Sequence, residues 1–254
     1  SVVEKFIGDH KLRAEISKTL SSINDLERIL SRLGTKSGNA RDLVNLSTSL
    51  GKSLDLLTKL SSKDFNHIKK EAGLHSGSTK GISGVINLIQ KTIEEEPPVS
   101  VRDGGMIREG IDQGLDDIKQ SISDSQEWIQ KLEAKERETT KISSLKVGFN
   151  SVFGYYIEIS KANTELVPSH YVRKQTLVNS ERYITEDLKY HEEIVLSARE
   201  KINEIEYDVF GKTVESVLQK SSEIQALANY VAVTDCLFGF SSLAQESNYV
   251  KPDI

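Results

Sequence analysis

Apolar residues recur at three- and four-residue steps along most of the chain, a spacing that gathers them on one helix face. Leu12, Ile16, Leu20, Ile23, Leu26, Leu30 and Leu33 make the first such face, and Gly34 reads as its C-terminal stop. Leu43, Leu46, Leu50, Leu54, Leu57 and Leu60 make a second, with Asn39 or Asp42 as starters. A less regular helical segment covers roughly 64–93 and ends in "EEEPPVSVRDGG", where Gly104-Gly105 marks a turn. Ile111, Leu115, Ile118, Ile122, Ile129 and Leu132 then predict a long helix over about 107–139.

The period changes in "VGFNSVFGYYIEIS", Val147 to Ser160. Here Tyr155, Ile157 and Ile159 alternate with Tyr156, Glu158 and Ser160, the two-residue repeat of a strand with one packed and one wet face. Gly154 closes the tip that begins at Asn150-Ser151. "YVRKQTLVNSERYIT" alternates too, which sets Tyr171, Arg173, Gln175 and Leu177 on one face and Val172, Lys174, Thr176 and Val178 on the other. A last helix is expected to start at Thr185, an N-cap followed by the acids Glu186 and Asp187. Its apolar period runs from Leu188 past Val217 with a drift near Gly211; unbroken to about residue 243 it would be on the order of 85 Å long.

These elements predict a mainly α protein with a small β insertion. The expected architecture is an elongated helical bundle that carries an antiparallel sheet at the end of two long antiparallel helices. The organisation reads as a first helical part over 1–125, an inserted β domain over 126–185 and a second helical part over 186–254. Composition agrees: 37% apolar, 28% charged and 6% aromatic residues fit a helix-rich molecule with much wet surface. The four prolines leave 99–167 and 169–251 without a helix breaker of that kind. No apolar run reaches the ~18–20 residues of a membrane span. The chain opens on Ser1 in near-immediate helical pattern, which reads as a piece of a larger protein.

Charge singles out the insert. Residues 126–185 hold nine basic and seven acidic side chains, a balance of +2, so with −5 overall the remainder carries −7. A weakly basic, hydroxyl- and amide-rich β unit on an acidic body fits a polyanion contact, of the kind that positions a protein on a duplex without reading bases.

Other motifs carry less. "GLHSGSTKG" lacks the phosphate-loop spacing and reads as a helix–helix connector. The five histidines fall at no metal-ligand spacing, and no nucleophile–base arrangement stands out, so no catalytic or metal residue is assigned. Cys236, the single cysteine, excludes an internal disulfide, fits a reducing compartment and reads as a small buried hydrophobe. Trp128, the single tryptophan, is expected to pack where the outgoing helix meets the insert.

"REGIDQGLDDIKQ", "LKVGFNSVFGYYIEISKAN", "VPSHYVRKQTLVNSERYITEDLK" and "YVKPDI" resemble the MutS mismatch-repair family, as do "INDLERILSRL" and "EEEPPVSVRDGGMIREG". The resemblance covers essentially the whole chain. It implies a lever (core) domain with an inserted clamp domain, and dimers whose clamps close over double-stranded DNA and hold its backbone without sequence preference. Mismatch reading and ATP hydrolysis, with ATP and magnesium as cofactors, belong in that family to domains not matched here, so no cofactor and no enzymatic activity is expected of this chain. The implied partners are duplex DNA and a second MutS-family subunit, with no membrane. The implied location is cytoplasmic, or nuclear for a eukaryotic relative. Carried over residue by residue, the clamp contacts fall on Asn150, Ser151, Val178 and Asn179. Arg173, Lys174, Gln175 and Thr176 join them on chemical grounds. Val178 departs from a position that relatives often fill with lysine, which predicts a weaker grip. The competing reading is a coiled-coil scaffold whose β insert binds a protein; the irregular three-four steps over wide faces argue against strict seams.

Overall fold

A computed structural model describes residues 2–62, 65–101 and 104–250. Arg102-Asp103 of "EEEPPVSVRDGGMIREG" and the end of "YVKPDI" lie outside the described residues. The protein is mainly α with one small antiparallel sheet, as the periodicities require. Its described residues fall into two compact units, 1–108 with 206–254, and 109–205.

The first unit is all-helical: α1 (Val2–Gly8), α2 (His10–Leu20), α3 (Leu26–Gly34), α4 (Ala40–Lys59), α5 (Asn66–Glu71) and α6 (Ser76–Thr92). It also takes the later part of α8 (Glu186–Leu218) and all of α9 (Ser221–Glu246). Leu43, Leu46, Leu50 and Leu56 of α4 and Ile224, Leu227 and Tyr230 of α9 are buried with Phe6, Ile16 and Leu33. Asn39 starts α4, and Asp42 completes a capping box: Asp42 N donates to Asn39 Oδ1 at 3.1 Å and Asn39 N to Asp42 Oδ2 at 2.9 Å. Both candidate starters are used, one as cap and one as its reciprocal partner.

The first apolar face is split between two helices. Ser21 and Ser22 hydroxyls bond back to Lys18 O and Thr19 O, and the Asp25 carboxylate then caps α3 by accepting from Arg28 N at 2.9 Å. Such hydroxyls compete with the helical ladder, and Asn24 N donating to Ser49 Oγ at 3.1 Å fastens the break to α4. Gly34 ends α3 as expected, although the left-handed residue is Lys36 (φ 58°). The segment over 64–93 divides at Gly73 (φ 76°), and "SGSTKG" is the start of α6, so only 72–75 act as connector. The final helix does not run unbroken either: α8 ends at Leu218 and α9 begins at Ser221. Gly211, where the register drifts, lies inside α8.

Two expectations are overturned here. Cys236 is exposed, because it falls on the side of α9 away from Tyr230 and Thr234. And α9, at 26 residues, is by length and composition apolar enough to cross a membrane; part of that apolarity is the buried face Ile224–Leu227–Tyr230.

The second unit holds α7 (Gln113–Thr140), β1 (Lys146–Asn150), β2 (Gly154–Ser160), a 3-10 turn (Lys161–Leu166), β3 (Val172–Thr176), β4 (Ser180–Ile184) and the first part of α8. Helix α7 starts later than its period predicts, at Asp112, whose carboxylate accepts from Leu115 N at 2.9 Å. Gly110 (φ 81°) makes the turn before it. Thr185 caps α8 as expected, accepting from Leu188 N at 3.2 Å. Ile129 and Leu132 of α7, Leu188 of α8 and Ile142, Leu145, Ile157, Ile159, Tyr171 and Tyr183 form one core. Ser125 meets His191 while Ile129 and Leu132 share this core with Leu188, so the two helices run antiparallel within the unit. Trp128 packs against the same core, as expected of it.

Candidate nucleic-acid interface

The sheet order is β1-β2-β4-β3, all antiparallel, with β1 and β3 at the edges. Ile157 and Ile159 face the core, and the sheet is fastened to α7 by polar bonds as well. Val147 N donates to Glu133 Oε2 at 3.0 Å and Arg137 Nε to Leu145 O at 2.6 Å. The opposite face carries a polar row. Arg182 Nε donates to Glu158 Oε2 at 2.9 Å, its Nη1 to Gln175 Oε1 at 3.1 Å, and its guanidinium lies 4.0 Å from the centre of the Tyr156 ring. Gly148 leaves room for that ring, since a Cβ there would stand 2.8 Å from its hydroxyl end and the ring would have to shift.

Strand β3 departs from the simple alternation. Arg173 lies opposite Tyr183 but Gln175 lies opposite Arg182, so a bulge at Lys174 absorbs one residue. Partners on neighbouring strands share a face, so Arg173 and Thr176 fall on the side of Tyr183 and Glu181, and Gln175 on the side of Arg182. The expected common face for Arg173 and Gln175 is thus corrected by the bulge. Arg173 Nη1 reaches Glu181 Oε1 at 3.2 Å, and Tyr183 donates its hydroxyl to Glu181 Oε2 at 2.5 Å. That hydroxyl, assisted by Arg173, holds the Glu181 carboxyl below its ordinary range. Burial, then the facing carboxylate, pushes the Tyr183 phenol up to about 12. Tyr171, whose hydroxyl donates to Glu136 Oε2 at 2.6 Å, is raised by the same two causes.

The candidate residues form two groups. Asn150 and Ser151 stand at the β1–β2 tip, where Asn150 Oδ1 accepts from Val152 N at 2.8 Å and Phe153 N at 3.2 Å. Its carbonyl oxygen shapes the turn, leaving Nδ2 as the donor. Gly154 (φ 77°) and Glu192 complete this end: Tyr155 N donates to Glu192 Oε1 at 3.0 Å, and a Cβ on Gly154 would collide with that carboxylate. Phe149, Val152 and Phe153 are exposed around it. Val178 and Asn179 form the β3–β4 turn, closed by Leu177 N donating to Ser180 O at 2.8 Å, with Val178 86% exposed. Gly154 of β2 pairs with Asn150, and Ser160 of β2 pairs with Ser180. The tip and the turn therefore lie at opposite ends of β2, about 20 Å apart at ~3.3 Å per residue. Arg173, Lys174 and Thr176 are exposed on the edge strand, and Gln175 is half-buried under Arg182.

One cluster escapes the sequence reading. At the turn end, Asn163 Nδ2 donates to Ser144 Oγ at 2.9 Å and to Ser160 Oγ at 3.1 Å, and those two hydroxyls are 3.2 Å apart. Lys161 N donates to Asn179 O at 3.1 Å, so the turn belongs to the same corner. The serines flank strands, which was the available signal, but only the pairing of β2 with β4 brings them to Asn179.

Comparison with known proteins agrees with this architecture. The family model described as MutS family domain IV matches residues 110–201, nearly the whole second unit. A protein named DNA mismatch repair protein MutS from Lactobacillus gasseri is 39% identical over 253 residues, 99% of this chain and 29% of that protein. Its namesakes from Halothermothrix orenii and Methanosarcina mazei are 42% identical over 255 residues and 38% over 258, each covering 99% of this chain and 28% of the relative. The chain thus spans under a third of the length of the curated relatives it matches. With a domain IV match in its middle and this identity from end to end, the chain belongs to the MutS family.

Proposed function

We propose that this chain is the lever and clamp portion of a DNA mismatch-repair protein. The β domain over 126–185 holds duplex backbone without reading sequence, and the helices over 1–125 and 186–254 transmit conformational change. The observation that carries the clamp role is the exposed edge strand of the domain IV unit, with Arg173, Lys174 and Thr176 on its surface and Asn179 in the turn that follows. Phosphate contacts by such side chains fix register and carry no base information. In this reading the chain itself has no catalytic site and needs no cofactor; ATP and magnesium serve another part of the protein. A second MutS-family subunit completes the grip, and the setting is cytoplasmic.

The test is salt-dependent binding of a short labelled duplex. Dissociation constants no tighter than ~10⁻⁴–10⁻⁶ M are expected, with two or three phosphate contacts giving a log–log salt slope of roughly −2 to −3. Arg173→Glu with Lys174→Glu should abolish binding and leave helicity unchanged; wild-type-like binding by that variant rejects the edge-strand assignment. Exposed Phe149, Val152 and Phe153 favour a second reading, a protein partner at the tip. Partner binding that persists in high salt, without duplex affinity at any salt, would select it.

A further inference from the structure

Along α4, Ser53 Oγ donates to Ser49 O at 2.7 Å and Thr58 Oγ1 to Leu54 O at 2.9 Å, each closing on the carbonyl one turn back. Ser47 of the same helix does not. Its hydroxyl has no hydrogen-bond partner among the described residues, although the residue is only 3% exposed. A hydroxyl taken out of water without a partner costs free energy, and folded chains leave few of them. Ser47 lines a groove of about 520 Å³ between α4 and the C-terminal end of α6, a volume in the range of small-ligand sites.

The groove has apolar walls, Val44, Ile89 and Ile93, and carries the charges of Glu94, Glu95 and Arg108. Arg108 is already engaged: its Nε donates to Ile93 O at 2.8 Å and its Nη2 lies 3.4 Å from Glu95 Oε1. Glu94 is half-buried, and its backbone is fixed by Glu94 N donating to Met106 O at 3.0 Å. Its carboxylate meets no cation and no donor among the described residues. With Arg108 and Glu95 offsetting each other, the groove keeps the negative charge of Glu94, and the carbonyl end of α6 at Thr92 adds to it.

That field selects the ligand. An anion is repelled, and a neutral molecule leaves the carboxylate unpaired. An ammonium brings donors only, for the Glu94 carboxylate and for Ser47 Oγ, and an aliphatic chain behind it can lie on the apolar walls. We propose that this groove, with Ser47 and Glu94 as its polar contacts, binds a small aliphatic amine in its ammonium form. The site belongs to the first unit and is independent of the clamp reading above.

The experiment is a titration of the whole nitrogen-15-labelled chain with n-butylammonium chloride at constant ionic strength, followed by amide shifts in proton–nitrogen correlation spectra. Amides of 44–48 and 89–95 should shift together and saturate, with a dissociation constant of about 1 mM for so small a ligand. Sodium butyrate should leave them in place. Glu94→Gln, which keeps the shape and removes the charge, should weaken binding about tenfold or more, and Ser47→Ala about threefold. Ser47→Ala removes an unpartnered hydroxyl, so its melting temperature should not fall and a weaker affinity is not a folding defect. No saturable shift in the wild type, or undiminished affinity in either variant, overturns the site. Binding of Nα-acetyl-lysine amide without binding of butylammonium overturns the free-amine assignment in favour of a lysine side chain from another polypeptide.

Discussion

Arg173 Nη1 lies 3.2 Å from Glu181 Oε1, so the edge strand's most reachable guanidinium is already held by a carboxylate of the next strand. A phosphate must compete with Glu181 for it. Glu181→Gln should therefore strengthen duplex binding, by about two- to fivefold at low salt, and steepen the log–log slope by up to about 0.9. The amide can still accept from Tyr183, so the sheet should keep its register. Anisotropy titrations of the two proteins at several salt concentrations provide the comparison; equal slopes would mean that Arg173 does not reach a phosphate.

The same carboxylate gives an acid-side prediction. Its folded-state value is depressed, chiefly by the Tyr183 hydroxyl and then by Arg173 and Lys161. A depressed carboxyl contributes stability that is present above its unfolded value and lost as pH falls through the folded one. Thermal melts of the wild type should thus decline below an ordinary carboxyl value of 4.5, and Glu181→Gln should lose less over that window. Parallel melting curves across the window would remove Glu181 from the account.

Gly154 is constrained twice, by φ 77° and by Glu192. Gly154→Ala should cost about 1–2 kcal/mol from the left-handed backbone alone and more from the collision. Adding Glu192→Ala relieves the collision but not the dihedral, so the double variant should recover part of the loss. Denaturant unfolding of the single and double variants measures both parts, and complete recovery would show that the backbone carries no strain.

What the sequence could reveal follows the range of the interactions. Helices, caps at Asn39 and Thr185, the strand alternation around Ile157 and the turn at Gly104-Gly105 are encoded within a few residues, and all are found. The break between α2 and α3 is hidden because the apolar period continues through Ile23 and Leu26 while the polar device, Asn24 on Ser49, comes from another helix. The Lys174 bulge is hidden because alternation within β3 says nothing of its register on β4. Of the candidate site, exposure of the edge-strand residues was legible from their polarity. The pairing of Arg173 with Glu181 and the Ser144–Ser160–Asn163 corner were not, since each depends on which strands are neighbours.

Trp128 and His191 make the second unit readable by spectroscopy. Their rings stack with centroids 4.1 Å apart and an interplanar angle of 21°, and His191 Nδ1 lies 3.1 Å from Ser125 Oγ. Tyr190 meets the imidazole edge-on. The imidazole lies flat on the face of the indole, a stacked contact that sets the polarity the ring experiences. Trp128 is the only tryptophan, so intrinsic fluorescence reports this one place. His191→Gln removes the ring from that stack and should change the intensity and wavelength of the Trp128 emission, while helicity is unchanged. Ser125→Ala removes the partner of Nδ1 and should change the same emission by less. Because Trp128 also packs on the core with Tyr155 and Val147, whose strands lead to the Asn150 tip, duplex bound at that tip should alter the same emission. Emission unaltered in His191→Gln would show that the stack does not set it and end the use of Trp128 as a reporter of this contact.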